Sequence, residues 1–539
     1  MRYAAPPLGN LRWRAPVEPA PTLAGGVEKA MTYGPVCLGN GVTYPVQGQS
    51  EDCLFVNVWA PTNATEKSKL PVWVFIQGGG YGHNANANWD GNEVVQRSGH
   101  SIVMVNFNYR VSLWGFLASE RVREDGDLNA GLLDQRMLLE WVKKHIASFG
   151  GDPDHVVIHG ASAGAGSVAT HLVAYGGRND NLFVGAMSQA NFFPAQPFVE
   201  ELEYQFDRVV SQTGCSQLDP SQQMACLRDR DVAVLQAANY AQPFPGRPDP
   251  PVPLFYWTPC VDGDLLRDLP YRLFEKGHFI NVPVMFGTST NEGSVFVPNA
   301  ATPDDVSLFF RNNYPLLTTN DTTAILAQYP QLPPLPNRNP WFPTASQAYG
   351  EATFICPSHN VLTHLHRHSH SLSHPRPHPD TTTTTTNQTT PPQSTNPPTL
   401  KIYAYRYNVH DTQNLAAGLG VPHIFDSAAI FGPDNVGSRG GGGYLARASY
   451  KTYNAGVVPL VMGYWLGFVR GLDPNWGWGV GGVRWEVWGE GGARGEDGGG
   501  MGRRLVVETE GARMESVGRG ERERCAFWEG LGGGRMRQK

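Results

Sequence analysis

The sequence predicts an α/β protein with a central, mostly parallel sheet flanked by helices. Three apolar runs of strand length, 70–77, 101–108 and 155–159, are continuous rather than alternating, as in strands covered on both faces. Stretch 132–149 places Leu133, Met137, Leu138, Trp141, Val142 and Ile146 at helical spacing and stops at Gly150-Gly151. Small residues follow the third strand and lead into a second helical stretch, 167–175. Strand and helix in alternation is the order of a parallel sheet with crossover helices. Further apolar strands are expected at 282–286 and 400–407.

Composition narrows the function classes. The 539 residues carry 42 Lys+Arg against 48 Asp+Glu, a formal charge of −6, with no basic cluster that could follow a phosphate backbone. No nucleic-acid partner is expected. No apolar run approaches the ~20 residues that span a bilayer; the run 457–469 falls short and holds Pro459. The chain reads as a single domain over 1–539, with two regions of different character. Segment 364–398 holds six of the sixteen histidines, then a threonine run and a Pro/Thr/Asn/Gln stretch. It lacks the large apolar residues a core needs, so a low-complexity, solvated insertion is expected, with metal binding by the histidines as the alternative. Segment 471–500 is glycine in 12 of 30 positions, interleaved with Trp476, Trp478, Trp485 and Trp488. It reads as a surface segment with aromatic anchors.

The seven cysteines contain no C-x-x-C pair, which argues against a structural zinc site. No metal and no cofactor are expected. Cys37/Cys53 and Cys215/Cys226 are close in sequence and could each close a short disulfide loop; unrelated thiols are the alternative. Acceptor triplets at Asn63, Asn320 and Asn387 lean toward the secretory route, whereas the stretch after Met1 has no apolar core of a signal peptide.

The chemistry is carried by Gly160-Ala-Ser162-Ala-Gly164, a G-x-S-x-G motif that follows a strand and opens a helix. A nucleophile on a tight strand-to-helix turn needs a strained backbone, and side chains at Gly160 and Gly164 would clash there. The turn lifts the serine hydroxyl out of the sheet, and the helix start aims amides at a developing oxyanion. Serine is a poor nucleophile unless a base and an orienting acid serve it, in the chain order Ser, Asp/Glu, His. Gln77-Gly78-Gly79-Gly80-Tyr81 closes an earlier strand and lets backbone N–H groups approach a substrate oxygen unobstructed. The acid and base stay open at this point: His171, His278, His410 and His423 all follow Ser162, with many carboxylates. Local context favours Glu292, on a glycine-bearing turn after a strand, and His423, in a loop rich in turn residues. Tyr81, Trp114, Phe192 and Phe193 are candidates for an apolar pocket or for ordinary core.

Motifs along the whole chain add to this reading. Tyr3-Ala-Ala-Pro-Pro-Leu-Gly-Asn-Leu-Arg-Trp13, Glu51-Asp-Cys-Leu-Phe-Val-Asn-Val-Trp59, Gly78-Gly-Gly80, Asn108-Tyr-Arg-Val111, Asn129-Ala-Gly-Leu-Leu-Asp-Gln135 and Phe149-Gly-Gly-Asp-Pro153 precede the serine motif. Asp262-Gly263, Asn291-Glu-Gly293, His423 with Ile430-Phe-Gly432, and Cys525-Ala-Phe-Trp528 follow it. With these the sequence resembles the type-B carboxylesterase/lipase family of cholinesterase-like esterases, and is most similar to its fungal members. The resemblance implies the α/β-hydrolase fold and a carboxylic ester hydrolase acting through an acyl-enzyme on a small-molecule or lipid ester. It implies a triad of Ser162, Glu292 and His423, and an oxyanion hole from the amides of Gly79, Gly80 and Ala163. It also implies the disulfides Cys37–Cys53 and Cys215–Cys226, and a secreted, extracellular protein.

Three departures from the family stand out. The signal peptide and opening strands that precede the Tyr3 segment in relatives are missing, so a chain short at its start is expected. Segment 364–398 interrupts a region that is nearly continuous in the family and resembles an unspliced intron. The Cys37–Cys53 loop holds no Trp that could face a quaternary ammonium, so choline esters are not the expected substrates. The rival readings are a catalytically silent adhesion or binding protein, which some family members became, and a gene-model product that does not fold.

Overall fold

The computed structural model describes residues 1–20, 29–247, 252–373, 400–436, 447–477, 482–489 and 502–538. A nine-stranded sheet organises them. Its strands are β1 (Val56–Trp59), β2 (Leu70–Ile76), β3 (Val103–Phe107), β4 (Gly151–Ala161), β5 (Gly185–Gln189), β6 (Val284–Ser289), β7 (Ile402–Tyr407), β8 (Arg503–Glu508) and β9 (Gly511–Ser516). They lie side by side in the order β1-β3-β2-β4-β5-β6-β7-β8-β9. Neighbours from β3 through β8 pair in parallel, while β1 joins β3 and β9 joins β8 antiparallel at the two edges. The five longest helices among the described residues are α1 (Ala130–His145), α2 (Ala163–Gly177), α3 (Cys356–Ser373), α4 (Val457–Gly471) and α5 (Arg519–Gly532). α2 packs on β4 and β5, α4 on β2, and α3 on β6 and β7. The central strands are therefore buried on both faces, which is why their sequences read as unbroken apolar runs. No helix among the described residues is long and apolar enough to cross a membrane.

Helix α1 buries more than its apolar stripe. Asp134 and Gln135 are as buried as Leu132 and Leu138, whereas Leu133, Met137 and Trp141 are half-buried. The reason is polar pairing. The Arg110 guanidinium donates to both Asp134 oxygens (2.7 and 2.8 Å), the Arg110 amide adds a third bond at 2.9 Å, and Gln135 joins Ser167 Oγ and His171 Nε2. Hydrophobic periodicity has no term for buried ion pairs.

The solvated insertion expected from residue 364 does not begin there. Helix α3 continues from Cys356 through Ser373 because Leu362 and Leu365 are fully buried and α5 packs against it. Three of its histidines have these partners: His359 stands 3.4 Å from Glu521, His364 3.9 Å from Glu529, and His368 Nε2 2.9 Å from the Glu275 carbonyl. A disulfide, Cys356–Cys525, ties the two helices together. The remainder of that segment, 374–398, lies outside the described residues, as do Asn387 and Trp478. In the glycine-rich region Trp485 and Trp488 are buried anchors, with Trp485 Nε1 donating to the Ala404 carbonyl, whereas Trp476 is exposed. Disulfides Cys37–Cys53 and Cys215–Cys226 are also closed, and Cys260 is a free, buried thiol.

Candidate active site

Ser162 stands between β4 and α2 at φ 57°, ψ −123°, a conformation an L-residue holds only when its surroundings enforce it. The enforcement comes from close backbone packing. A Cβ on Gly160 would lie 2.0 Å from the Gly164 carbonyl oxygen, and one on Gly164 would lie 2.0 Å from that of Ile76 at the end of β2. The Ser162 amide donates to the Gln189 carbonyl at the end of β5 (2.9 Å), which fastens the turn from the other side.

The glycine run after β2 lies beside this serine. A Cβ on Gly78 would meet Ser162 Cβ at 2.9 Å and the Ala161 carbonyl at 2.5 Å. The Gly78 amide is taken by Asn86 Oδ1 (2.9 Å), and the Gly78 and Gly79 carbonyls accept from Ala85, Gly82 and His83. The amides of Gly79 and Gly80 donate to no protein acceptor among the described residues. Ala163 is the first residue of α2, so its amide has no intrahelical acceptor either. Three N–H groups are thus left for an outside oxygen.

Glu292 and His423 meet at the carboxyl end of the sheet. Glu292 opens a short 3₁₀ turn after β6 and is almost fully buried; its Oε1 accepts the Ser289 amide and its Oε2 stands 2.5 Å from His423 Nδ1. A carboxylate only accepts, so Nδ1 carries the proton and Nε2 keeps its lone pair. His423 Nε2 is buried with no hydrogen-bond partner among the described residues. The loop that bears His423 is tied to the Glu292 turn by two bonds, Asn291 N to the Val421 carbonyl and Val421 N to Asn291 Oδ1, each 2.9 Å. The other three candidate histidines are elsewhere: His278 and His410 are exposed, and His171 is buried within α2 against Gln135, where burial pushes it down to about 3.

Aromatic rings wall this space. Phe354 and Phe296 pack on the His423 imidazole with centroids at 4.6 and 5.0 Å. Phe192 bridges Phe354 (5.5 Å) and Phe255 (4.6 Å), and a Cβ on Gly80 would run into the Phe255 ring. Phe354 belongs to a π-helical turn, Glu351–Ile355, of the kind found at functional sites. Of the four aromatics expected from sequence, Phe192 and its neighbour Tyr81 adjoin the site. Trp114 stacks on Trp13 instead, and Phe193 packs on Tyr271, both as core. Phe255, Phe296 and Phe354 come from separate parts of the chain and carry no local motif, so spacing could not find them.

Behind His423 lies a second buried carboxylate, Asp426. It accepts from Gln189 Nε2 (2.5 Å) and from the Tyr405 hydroxyl (2.8 Å). Burial pushes its carboxyl up to about 6; Gln189 and Tyr405 work against that rise, and the nearby Glu292 charge adds to it.

The Carboxylesterase family profile matches residues 1–491. Lipase 2 of Geotrichum candidum is 32% identical over 372 residues, covering 61% of this chain and 65% of that protein. Lipase 5 of Diutina rugosa is 34% identical over 368 residues, with the same two shares. Secreted lipase 1 of Botryotinia fuckeliana is 34% identical over 365 residues, covering 61% of this chain and 62% of that one. The match to these curated relatives thus spans just under two-thirds of their length. Among solved structures, the crystal structure of EstA from Aspergillus niger superposes with a TM-score of 0.88 at 44% identity, covering 100% of this chain and 94% of that chain.

Proposed function

The chain belongs to the carboxylesterase family, and on that premise we propose that it hydrolyses carboxylic esters through an acyl-enzyme with Ser162, His423 and Glu292 as its triad. The observation that carries this reading is the Glu292–His423 bond, which leaves a buried imidazole lone pair at Nε2. That lone pair takes the Ser162 proton as the hydroxyl oxygen attacks the ester carbonyl, and Glu292 stabilises the imidazolium. The oxyanion settles on the amides of Gly79, Gly80 and Ala163. As the tetrahedral adduct collapses, the imidazolium gives its proton to the departing alcohol. Water, deprotonated by the same nitrogen, then attacks the acyl-serine; collapse returns the proton to Ser162 Oγ and releases the acid.

The substrate is a small-molecule or lipid ester whose apolar acyl part lies against Phe192, Phe255, Phe296 and Phe354. The Cys37–Cys53 loop holds no Trp to face a cationic alcohol, so choline esters are disfavoured. Three disulfides, rare in cytosolic proteins, and the secreted lipases among its relatives support an extracellular location. Asn63 and Asn320, in acceptor triplets, are both exposed.

Turnover of nitrophenyl esters and labelling by a fluorophosphonate test the reading together. Ser162→Ala should lose at least ~10⁴-fold in kcat and all labelling. A variant that still turned over at the parent rate would overturn it, and a parent protein that neither labelled nor turned over would favour the silent binding protein.

A further inference from the structure

The loop that carries His423 is under strain and is held at both ends. Ile424, directly after the histidine, has φ +51°, a left-handed backbone that a β-branched residue adopts only under constraint. On the upstream side Asn291 clamps the loop to the Glu292 turn, and on the downstream side the anchor is Asp426, which is 1% exposed. Asp426 reaches to two different strands. Gln189, the last residue of β5, donates Nε2 to Asp426 Oδ1 and to Ser427 Oγ (2.8 Å), while Tyr405 of β7 donates to Asp426 Oδ2.

Gln189 also works through its backbone, because its carbonyl accepts the Ser162 amide. One residue therefore holds the serine turn with its main chain and the histidine loop with its side chain. The path from nucleophile to base runs Ser162 N–H, Gln189, Asp426, then three residues back to His423. The groups around Asp426 are Glu292, Tyr405, Tyr407 and Tyr450, with no cation among them to take over its role.

We propose that Asp426 is a positioning residue for the reaction, setting the His423 imidazole against the Ser162 hydroxyl through Gln189 and Tyr405. It touches no reacting atom. This inference rests on Ser162 and His423 being nucleophile and base. Its cost when lost is a misplacement of the base: an ångström of error at a reacting centre costs on the order of 10²-fold.

The test compares kcat and KM for one nitrophenyl ester in the parent, Asp426→Asn, Tyr405→Phe and the exchanged pair Gln189→Glu/Asp426→Asn. In Asp426→Asn one donor loses its acceptor and meets an N–H instead. Its kcat should fall about 10- to 100-fold with KM changed less than about 3-fold. Tyr405→Phe, which removes a single hydroxyl and keeps the ring, should lower kcat in the same sense by less. The exchanged pair restores one N–H to carboxylate bond with the roles reversed, and should regain a large part of the loss. Parent-like kcat in Tyr405→Phe and Asp426→Asn would overturn the proposal. So would a loss confined to KM, or an exchanged pair no better than Asp426→Asn alone. If Asp426→Asn fails to fold, Tyr405→Phe and the exchanged pair decide. Ser162→Ala measured alongside separates the two readings: its activity judges the triad, and the other variants judge Asp426.

Discussion

Gly160 and Gly164 face each other across the turn that carries Ser162, so closely that a Cβ on the first would stand 2.0 Å from the carbonyl oxygen of the second. The obstacle is backbone on both sides and cannot swing away as a side chain would. Gly160→Ala should therefore destabilise the protein by at least about 3 kcal/mol, the upper range for overpacking in a core. A thermal melt of the variant beside the parent checks this, and a melt within two degrees of the parent would refute it.

Glu292 uses both of its oxygens, one on the Ser289 amide and one on His423 Nδ1. In Glu292→Gln, keeping the oxygen on Ser289 points the amide N–H₂ at Nδ1. That favours the imidazole tautomer with its proton on Nε2, where the base is needed. We expect kcat to fall on the order of 10³–10⁴-fold with KM nearly unchanged, measured with a nitrophenyl ester at fixed pH.

The Arg110–Asp134 pair is buried on both sides and bonded at three points. Removing one partner leaves the other charge uncompensated in the interior. Asp134→Ala should cost about 3–5 kcal/mol in urea unfolding. The folded fraction should keep its fluorophosphonate labelling rate, since neither residue reaches Ser162. A loss below 1 kcal/mol would show that the pair is dispensable.

Acid stability depends on Glu515. Burial opposes its ionisation, yet the Arg406 and Arg504 guanidinium groups bonded to it outweigh burial and hold it at about 2, below its usual 4.5. A carboxyl lowered on folding stabilises the native state above its unfolded value, and that gain is lost as pH falls from 4.5 through 2. The melting temperature of Glu515→Gln should lie below the parent's at pH 5 and above, with the gap closing toward pH 2. A gap independent of pH would exclude this origin.

Asp426 has the opposite sign. Its carboxyl is raised from 3.8 to about 6, so the folded protein keeps a proton that the unfolded chain has released. The native state loses stability as pH rises from 3.8 to 6, by on the order of 3 kcal/mol from this group. Asp426→Asn should flatten that decline. Melting temperatures taken every half pH unit from 4 to 7 would show it, and an unchanged slope would count against it.

Much of the candidate site is local in sequence and was legible there. The turn at Ser162 needs small residues within two positions of the serine, and the glycine run at 78–80 ends a strand recognisable by its apolar residues. Five of the nine strands were legible too, to within a few residues at their ends, because burial on both faces leaves a continuous apolar mark; β1, β5, β8 and β9 were not read from the sequence. The boundaries of α3 were not. Its histidine-bearing end is helical because α5 packs against it, and α5 lies far downstream in the chain.

Tertiary structure alone decided which groups meet. Glu292 and His423 are 131 residues apart and Gln189 and Asp426 are 237 apart, and only the side-by-side pairing of parallel strands brings these segments together at the carboxyl end of the sheet. The four phenylalanines that wall the candidate site, two of them packed on the imidazole, likewise arrive from four segments. The sequence by itself determined that a serine sits between a strand and a helix with glycines two positions either side of it, while the Ile76 and Gln189 carbonyls that complete the strained turn arrive from other strands. The meeting of His423 with Glu292, the rings packed on His423 and the anchoring of its loop through Asp426 were decided by contacts between distant segments, for which residue spacing holds no record.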